Sequence, residues 1–196
     1  MDEQTLRRLE YDRIVAQLAE HTSFSASHAL ALALRPSADE AEVRRRLQET
    51  SEAKALLSTR VEIGVGAAHD VRALAHHANL QGLLHPPELL DIRATLLSGR
   101  RLRYALLAVE DDCPLLASQA EEIEPLSEII DAIGRCLGDD GEVLDSASPA
   151  LARIRQQSSV ARQRLLERLR SLITSSENAR FLQEPIVTER AGRFVI

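Results

Sequence analysis

A chain of 196 residues with 44% apolar side chains can bury a core, while a net charge of −6 excludes a protein that coats nucleic acid or an anionic membrane by bulk positive charge. Two cysteines, Cys113 and Cys136, with no CxxC pair or Cys/His cluster around them, argue against a disulfide framework or a zinc site and point to buried free thiols. With no Trp, two Tyr and three Phe, the core must be built from Leu, Ala, Ile and Val, a composition that favours helix.

The charge is unevenly divided. Residues 1–145 hold fifteen basic and twenty-six acidic groups, whereas residues 146–196 hold nine arginines and four glutamates. The first part should repel a phosphate backbone and the second is able to attract one. MDEQTLRRLEYD lacks the apolar core of a secretory leader, and no apolar run approaches the length that spans a bilayer. A soluble, cytoplasmic protein without a membrane partner is expected.

In chain order, LEYDRIVAQLAEH places Ile14, Val15 and Leu18 at helical spacing, with Asp12 as N-cap, and Thr22 and Ser23 end the helix. Ser25 to Leu34 forms a second helix that stops before Pro36. SADE at Ser37 to Glu40 reads as a capping box in which Glu40 reaches back to the cap. The helix it starts should turn Val43, Leu47, Ala53, Leu56 and Leu57 to the core. VEIGVGAAHD is a loop or short extended piece, and Asp70 caps a short helix through Leu74. Pro86 or Pro87 opens a helix to about Val109. Its apolar positions are Leu89, Leu90, Leu96, Leu97, Leu102 and Leu106. Asp111, Asp112 and Pro114 break the chain. One more helix uses Leu126, Ile129, Ile130 and Ile133 and ends at Gly138 to Gly141.

The longest element comes last. Ser148 is a good N-cap, Pro149 suits the first helical position, and nothing breaks the helix until about Ser175. Leu151, Ile154, Ala161, Leu165, Leu169, Leu172 and Ile173 form a narrow stripe, interrupted at Gln156 to Ser159. Such a seam fits a lever or coiled-coil arm that touches one neighbour. PIVTE and RFVI read as two strands around an Arg-Ala-Gly turn. An isolated hairpin is barely stable in water, so these strands need partners. The apolar end, Phe194 to Ile196, leads us to expect a chain cut from a longer one.

No catalytic constellation stands out. GVGAAH near Gly64 lacks the GKS or GKT of a P-loop and the third glycine of a dinucleotide fingerprint. His76 and His77 are adjacent, so on a helix they diverge by about 100° and chelate poorly. The acidic residues from Asp111 to Glu124 read as solvated helix ends and loops. The arginines of the long helix are the functional candidates: Arg155, Arg162 and Arg170 share a broad face, and Arg153, Arg164 and Arg168 lie elsewhere. Exposed arginines usually only solvate a helix, and without interleaved aromatics base stacking has no support.

Several stretches resemble the N-terminal part of the bacterial MutS-II family, a MutS paralogue with a C-terminal Smr nuclease domain. They include TLRRLEYDRI (Thr5 to Ile14), HTSFSAS (His21 to Ser27), LALRPSAD (Leu32 to Asp39), HDVR (His69 to Arg72) and LHPPELLDI (Leu84 to Ile92). The most specific are DGEVLDSASPALARIR (Asp140 to Arg155) and LQEPIVTERAGRFVI (Leu182 to Ile196). Ser25 and Ser27 depart from the family in a stretch where glycine is common. The resemblance implies a mainly α fold: a helical core at 1–145, a lever helix at 146–180 and the start of a β-containing clamp region at 181–196. It also implies an ATP- and Mg-dependent homodimeric parent with endonuclease activity on branched DNA, or one that splits collided ribosomes. Its Walker motifs and nuclease residues would lie outside this segment. No catalytic residue, metal ligand or cofactor is therefore assigned here. Arg155, Arg162, Arg164, Arg168, Arg170, Arg190 and Arg193 are the candidate nucleic-acid contacts. The rival expectation is a stand-alone helical dimerisation scaffold with no nucleic-acid role.

Overall fold

The structure, a computed structural model, describes residues 3–59, 63–175, 178, 182, 184, 186–190 and 192–196. Among these the chain is mainly helical. It divides into two compact units, Met1–Glu142 and Val143–Ile196.

Among the described residues the first unit holds eight helices: α1 (Glu3–Arg8), α2 (Tyr11–Glu20), α3 (Ser25–Ala33), α4 (Glu40–Thr59), α5 (Arg72–Asn79), α6 (Pro86–Leu107), α7 (Pro114–Glu121) and α8 (Ser127–Cys136). The central element is α6, which packs against both α7 and α8. From Glu88 to Arg100 none of its residues is exposed. Pro86 stands at its first position, where the missing N–H is harmless, and the His85 N–H donates to Glu88 in a capping box. Leu56, Leu106, Val109, Cys113 and Ala120 are buried together, with Ile63, Leu102 and Leu116 against them.

Helix α7 was not foreseen. Pro114, read as a breaker, occupies the first position of a new helix, as the rule for proline at helix starts allows. Only 8 residues long, α7 is secured at both ends by other helices. At its start, the Leu115 and Leu116 N–H groups donate to Glu52 of α4 at 3.0 and 3.1 Å. At its end, Arg103 of α6 donates to the Ala120 and Glu121 carbonyls at 2.9 Å each. A carboxylate at the amino end and a guanidinium at the carboxyl end both complement the helix dipole. This explains how Glu52 can be 4% exposed.

The same contact corrects the expected core face of α4. Glu52 and Leu56 are the buried positions of that helix, while Leu47 and Leu57 stand 62% and 53% exposed. Its capping also differs. Asp39, not Ser37, accepts from the Ala41 and Glu42 N–H groups, and Ser37 Oγ instead bonds the Glu42 carboxylate. Asp12 lies inside α2, where no side-chain cap operates; the helix follows Glu10 in a left-handed conformation (φ 53°). Helix α5 runs to Asn79, past the expected end at Leu74, and its N-cap is Val71 instead of Asp70; Asp70 accepts from the Arg72 N–H and grips its guanidinium, and the Leu80 and Gln81 N–H groups close the far end. Cys113 is buried, Cys136 is half-buried, and both are free.

In the second unit a 3₁₀ turn at Asp145–Ala147 leads into α9 (Pro149–Thr174), 26 residues long. Ser148 caps it by accepting from the Ala150 N–H, as expected. Strands β1 (Thr188–Arg190) and β2 (Arg193–Val195) pair antiparallel, with Thr188 opposite Val195, Glu189 opposite Phe194 and Arg190 opposite Arg193. They are shorter than the expected PIVTE and RFVI: Ile186 and Val187 lie outside β1, and Pro185 lies outside the described residues. Gly192 at φ 73° supplies the left-handed turn position.

Candidate nucleic-acid interface

All seven expected arginines fall in the second unit, on α9 and the hairpin. Most of α9 is open: every residue from Arg153 to Leu165 is exposed, while Leu166, Leu169 and Ile173, spaced as one helical face, are covered.

Helical geometry sorts the arginines by partner. At about 100° per residue, Arg155 and Arg162 lie within about 20° of each other. Both are neutralised from within the unit: Arg155 bonds Asp145 Oδ1 at 2.6 Å and the Val143 carbonyl at 2.8 Å. Arg162 bonds Glu189 at 2.5 Å, with its guanidinium over the Phe194 ring, 4.9 Å from the centroid. On the far side of the rod, Arg164 and Arg168 share an arc of about 40°, and neither has an ion-pair partner among the described residues. Arg170 lies on a third arc with no second arginine beside it.

Arg153 was left out of the expected set, yet it extends the Arg164–Arg168 arc to about 60°. The signal was available as the spacing of 153, 164 and 168, close to whole numbers of helical turns. Ile154, Ala161, Leu165 and Leu172 form a ridge beside this arc, and Ile154, Leu165 and Leu172 are 58%, 45% and 48% exposed. On the hairpin, Arg190 and Arg193 are cross-strand partners on one face of the ribbon. Both are exposed, and neither has an ion pair among the described residues. Directly opposed like charges repel, so an anion between them would be favoured.

Among the described residues no three His, Cys, Asp or Glu side chains gather as a metal site, and no helix is long and apolar enough to cross a membrane. His76 and His77 are exposed on α5.

No family model matches the chain. Curated relatives do: it aligns along its whole length with Endonuclease MutS2 of Symbiobacterium thermophilum at 39% identity over 196 residues, 24% of that protein. The proteins of the same name from Brevibacillus brevis and a Geobacillus species align at 39% and 38% identity, again over 100% of this chain and 25% of theirs. The chain is a homologue of the MutS2 endonucleases. It spans about a quarter of the length of the MutS2 relatives it matches. Both the helical first unit and the α9–hairpin unit fall within that MutS2 alignment, as the sequence resemblance anticipated.

Proposed function

We propose that this chain is a non-catalytic core-and-lever segment of a MutS2-type ATPase and endonuclease that acts on nucleic acid. Its first unit supplies a helical platform. Helix α9 carries motion driven by ATP elsewhere in the parent to a clamp that begins at the hairpin. The observation that carries this reading is α9 itself: 26 unbroken residues, capped at Ser148, with a long exposed middle. A continuous helix resists bending over about 40 Å, as a lever must. The exposed ridge at Ile154, Leu165 and Leu172 fits a rod that lies along one neighbour.

Among the candidate contacts, the arginines with no ion-pair partner among the described residues are the strongest: Arg164 and Arg168, joined by Arg153, and the Arg190–Arg193 pair. Arg155 and Arg162 are engaged by carboxylates, and Arg170 stands alone. The parent's partner is branched DNA, in suppression of homologous recombination, or the ribosome, in rescue after collision; it works as a homodimer in the cytoplasm, with ATP and Mg bound outside this segment.

The test uses spin labels in a full-length MutS2-type protein carrying this segment. Labels at Gln156 and Ser171 should hold a separation of about 22 Å along the axis with and without nucleotide. A label on the hairpin should shift relative to one in the first unit when ATP binds. A hairpin-to-first-unit distance indifferent to nucleotide, a Gln156–Ser171 separation that changes with it, or ATP turnover or nuclease activity by the 196-residue chain alone, would overturn the reading. The exposed ridge also favours a second reading, a helical dimerisation scaffold. A tight dimer by light scattering that survives removal of residues 181–196 would select it.

A further inference from the structure

We infer that Arg162 is the positioning residue that holds the β1–β2 hairpin on α9, by gripping one cross-strand pair with a single guanidinium. Glu189 and Phe194 face each other in the register, one from each strand. Arg162 donates to the Glu189 carboxylate, and its Cζ stands over the Phe194 ring, 4.9 Å from the centroid. A planar guanidinium can do both at once, whereas a lysine ammonium has no face to stack.

The hairpin needs such a fixture. Its strands are 3 residues each, β1 is exposed throughout, and only Phe194 of β2 is partly covered. Two such short strands do not hold together in water unaided. Among the described residues, Arg162 makes the one polar contact between α9 and the hairpin. The contact sits on the side of α9 away from the Arg153–Arg164–Arg168 arc, so the hairpin is held without covering those arginines. It also leaves Arg190 and Arg193 free.

That this grip couples the rod to the clamp rests on the lever reading. The docking itself is measurable in the 196-residue chain, so a failed lever and a failed grip give different results. Amide exchange is followed by mass spectrometry for Arg162→Met, which keeps the apolar stem, Arg162→Lys, Glu189→Gln and the double variant Arg162→Met/Glu189→Gln. Arg162→Met should speed exchange across Thr188 to Val195 about five- to tenfold while α9 amides keep their protection. Arg162→Lys should restore only part of the loss. Glu189→Gln should loosen the native hairpin but add nothing to Arg162→Met. Raising salt to about 1 M, where screening acts within about 3 Å, should loosen the native hairpin more than the Arg162→Met hairpin. Unchanged hairpin exchange in Arg162→Met, additive effects in the double variant, or equal loss of protection along α9 would overturn the inference.

Discussion

Three side chains in the first unit show how a residue's surroundings set its chemistry. Glu52 is 4% exposed and accepts from two N–H groups of α7. Hydrogen bonds to a buried charge contribute about 1.5–3 kcal/mol, so Glu52→Ala should destabilise the first unit by about 2 kcal/mol in chemical denaturation. Arg72 donates to both oxygens of Asp70, and with further hydrogen bonding this lowers the carboxyl from 3.8 to about 2. A depressed acid stabilises fully above its unfolded value, and the benefit fades as pH falls from about 4 towards 2. Arg72→Ala should move the Asp70 midpoint back up, read by carboxyl NMR titration. Burial, with Glu52 and Asp112 nearby, pushes the Cys113 thiol up from its ordinary value. A thiol reagent at neutral pH should therefore label half-buried Cys136 well before Cys113.

At the scale of elements, α7 and α9 are stabilised in opposite ways. Helix α9 is set up locally: Ser148 caps it, Pro149 opens it, and its interior lacks glycine and further proline. Ser148→Ala should cost about 1 kcal/mol, seen as a lower melting temperature for the unit and fraying at Ala150 to Ala152. Helix α7 depends on distant partners, Glu52 and Arg103. Arg103→Ala should raise amide exchange at the carboxyl end of α7 and leave α9 untouched. The Arg162 grip belongs with α7 in kind, since it joins residues far apart in sequence.

Across the whole molecule, the division of charge sets what the chain can bind. The second unit carries the arginine excess and the first an acidic excess. Binding of the isolated chain to single- or double-stranded DNA should be weak and steeply salt-dependent. If Arg153, Arg164 and Arg168 each meet one phosphate of a duplex, affinity should fall about 40-fold between 50 and 200 mM salt, by fluorescence anisotropy. Replacing all three by Gln should flatten that slope. Nanomolar binding at physiological salt would contradict this account.

The sequence by itself determined what depends on neighbours in the chain. It marked the span and cap of α9, the start of α6 at Pro86 or Pro87, the hairpin around Gly192, the mainly helical class and the kinship to MutS2 endonucleases. Local rules suffice there, because a cap, a proline and a turn glycine act within about four residues. Tertiary structure alone decided which face of α4 turns inward, since Glu52 is drawn inside by the N–H groups of a helix more than sixty positions away. It likewise made Pro114 a helix start and sorted seven similar arginines into those held by Asp145 or Glu189 and those with no ion pair among the described residues. Hydrophobic spacing could not reveal these outcomes. They come from polar groups that must find partners once water is removed, and those partners are remote in sequence.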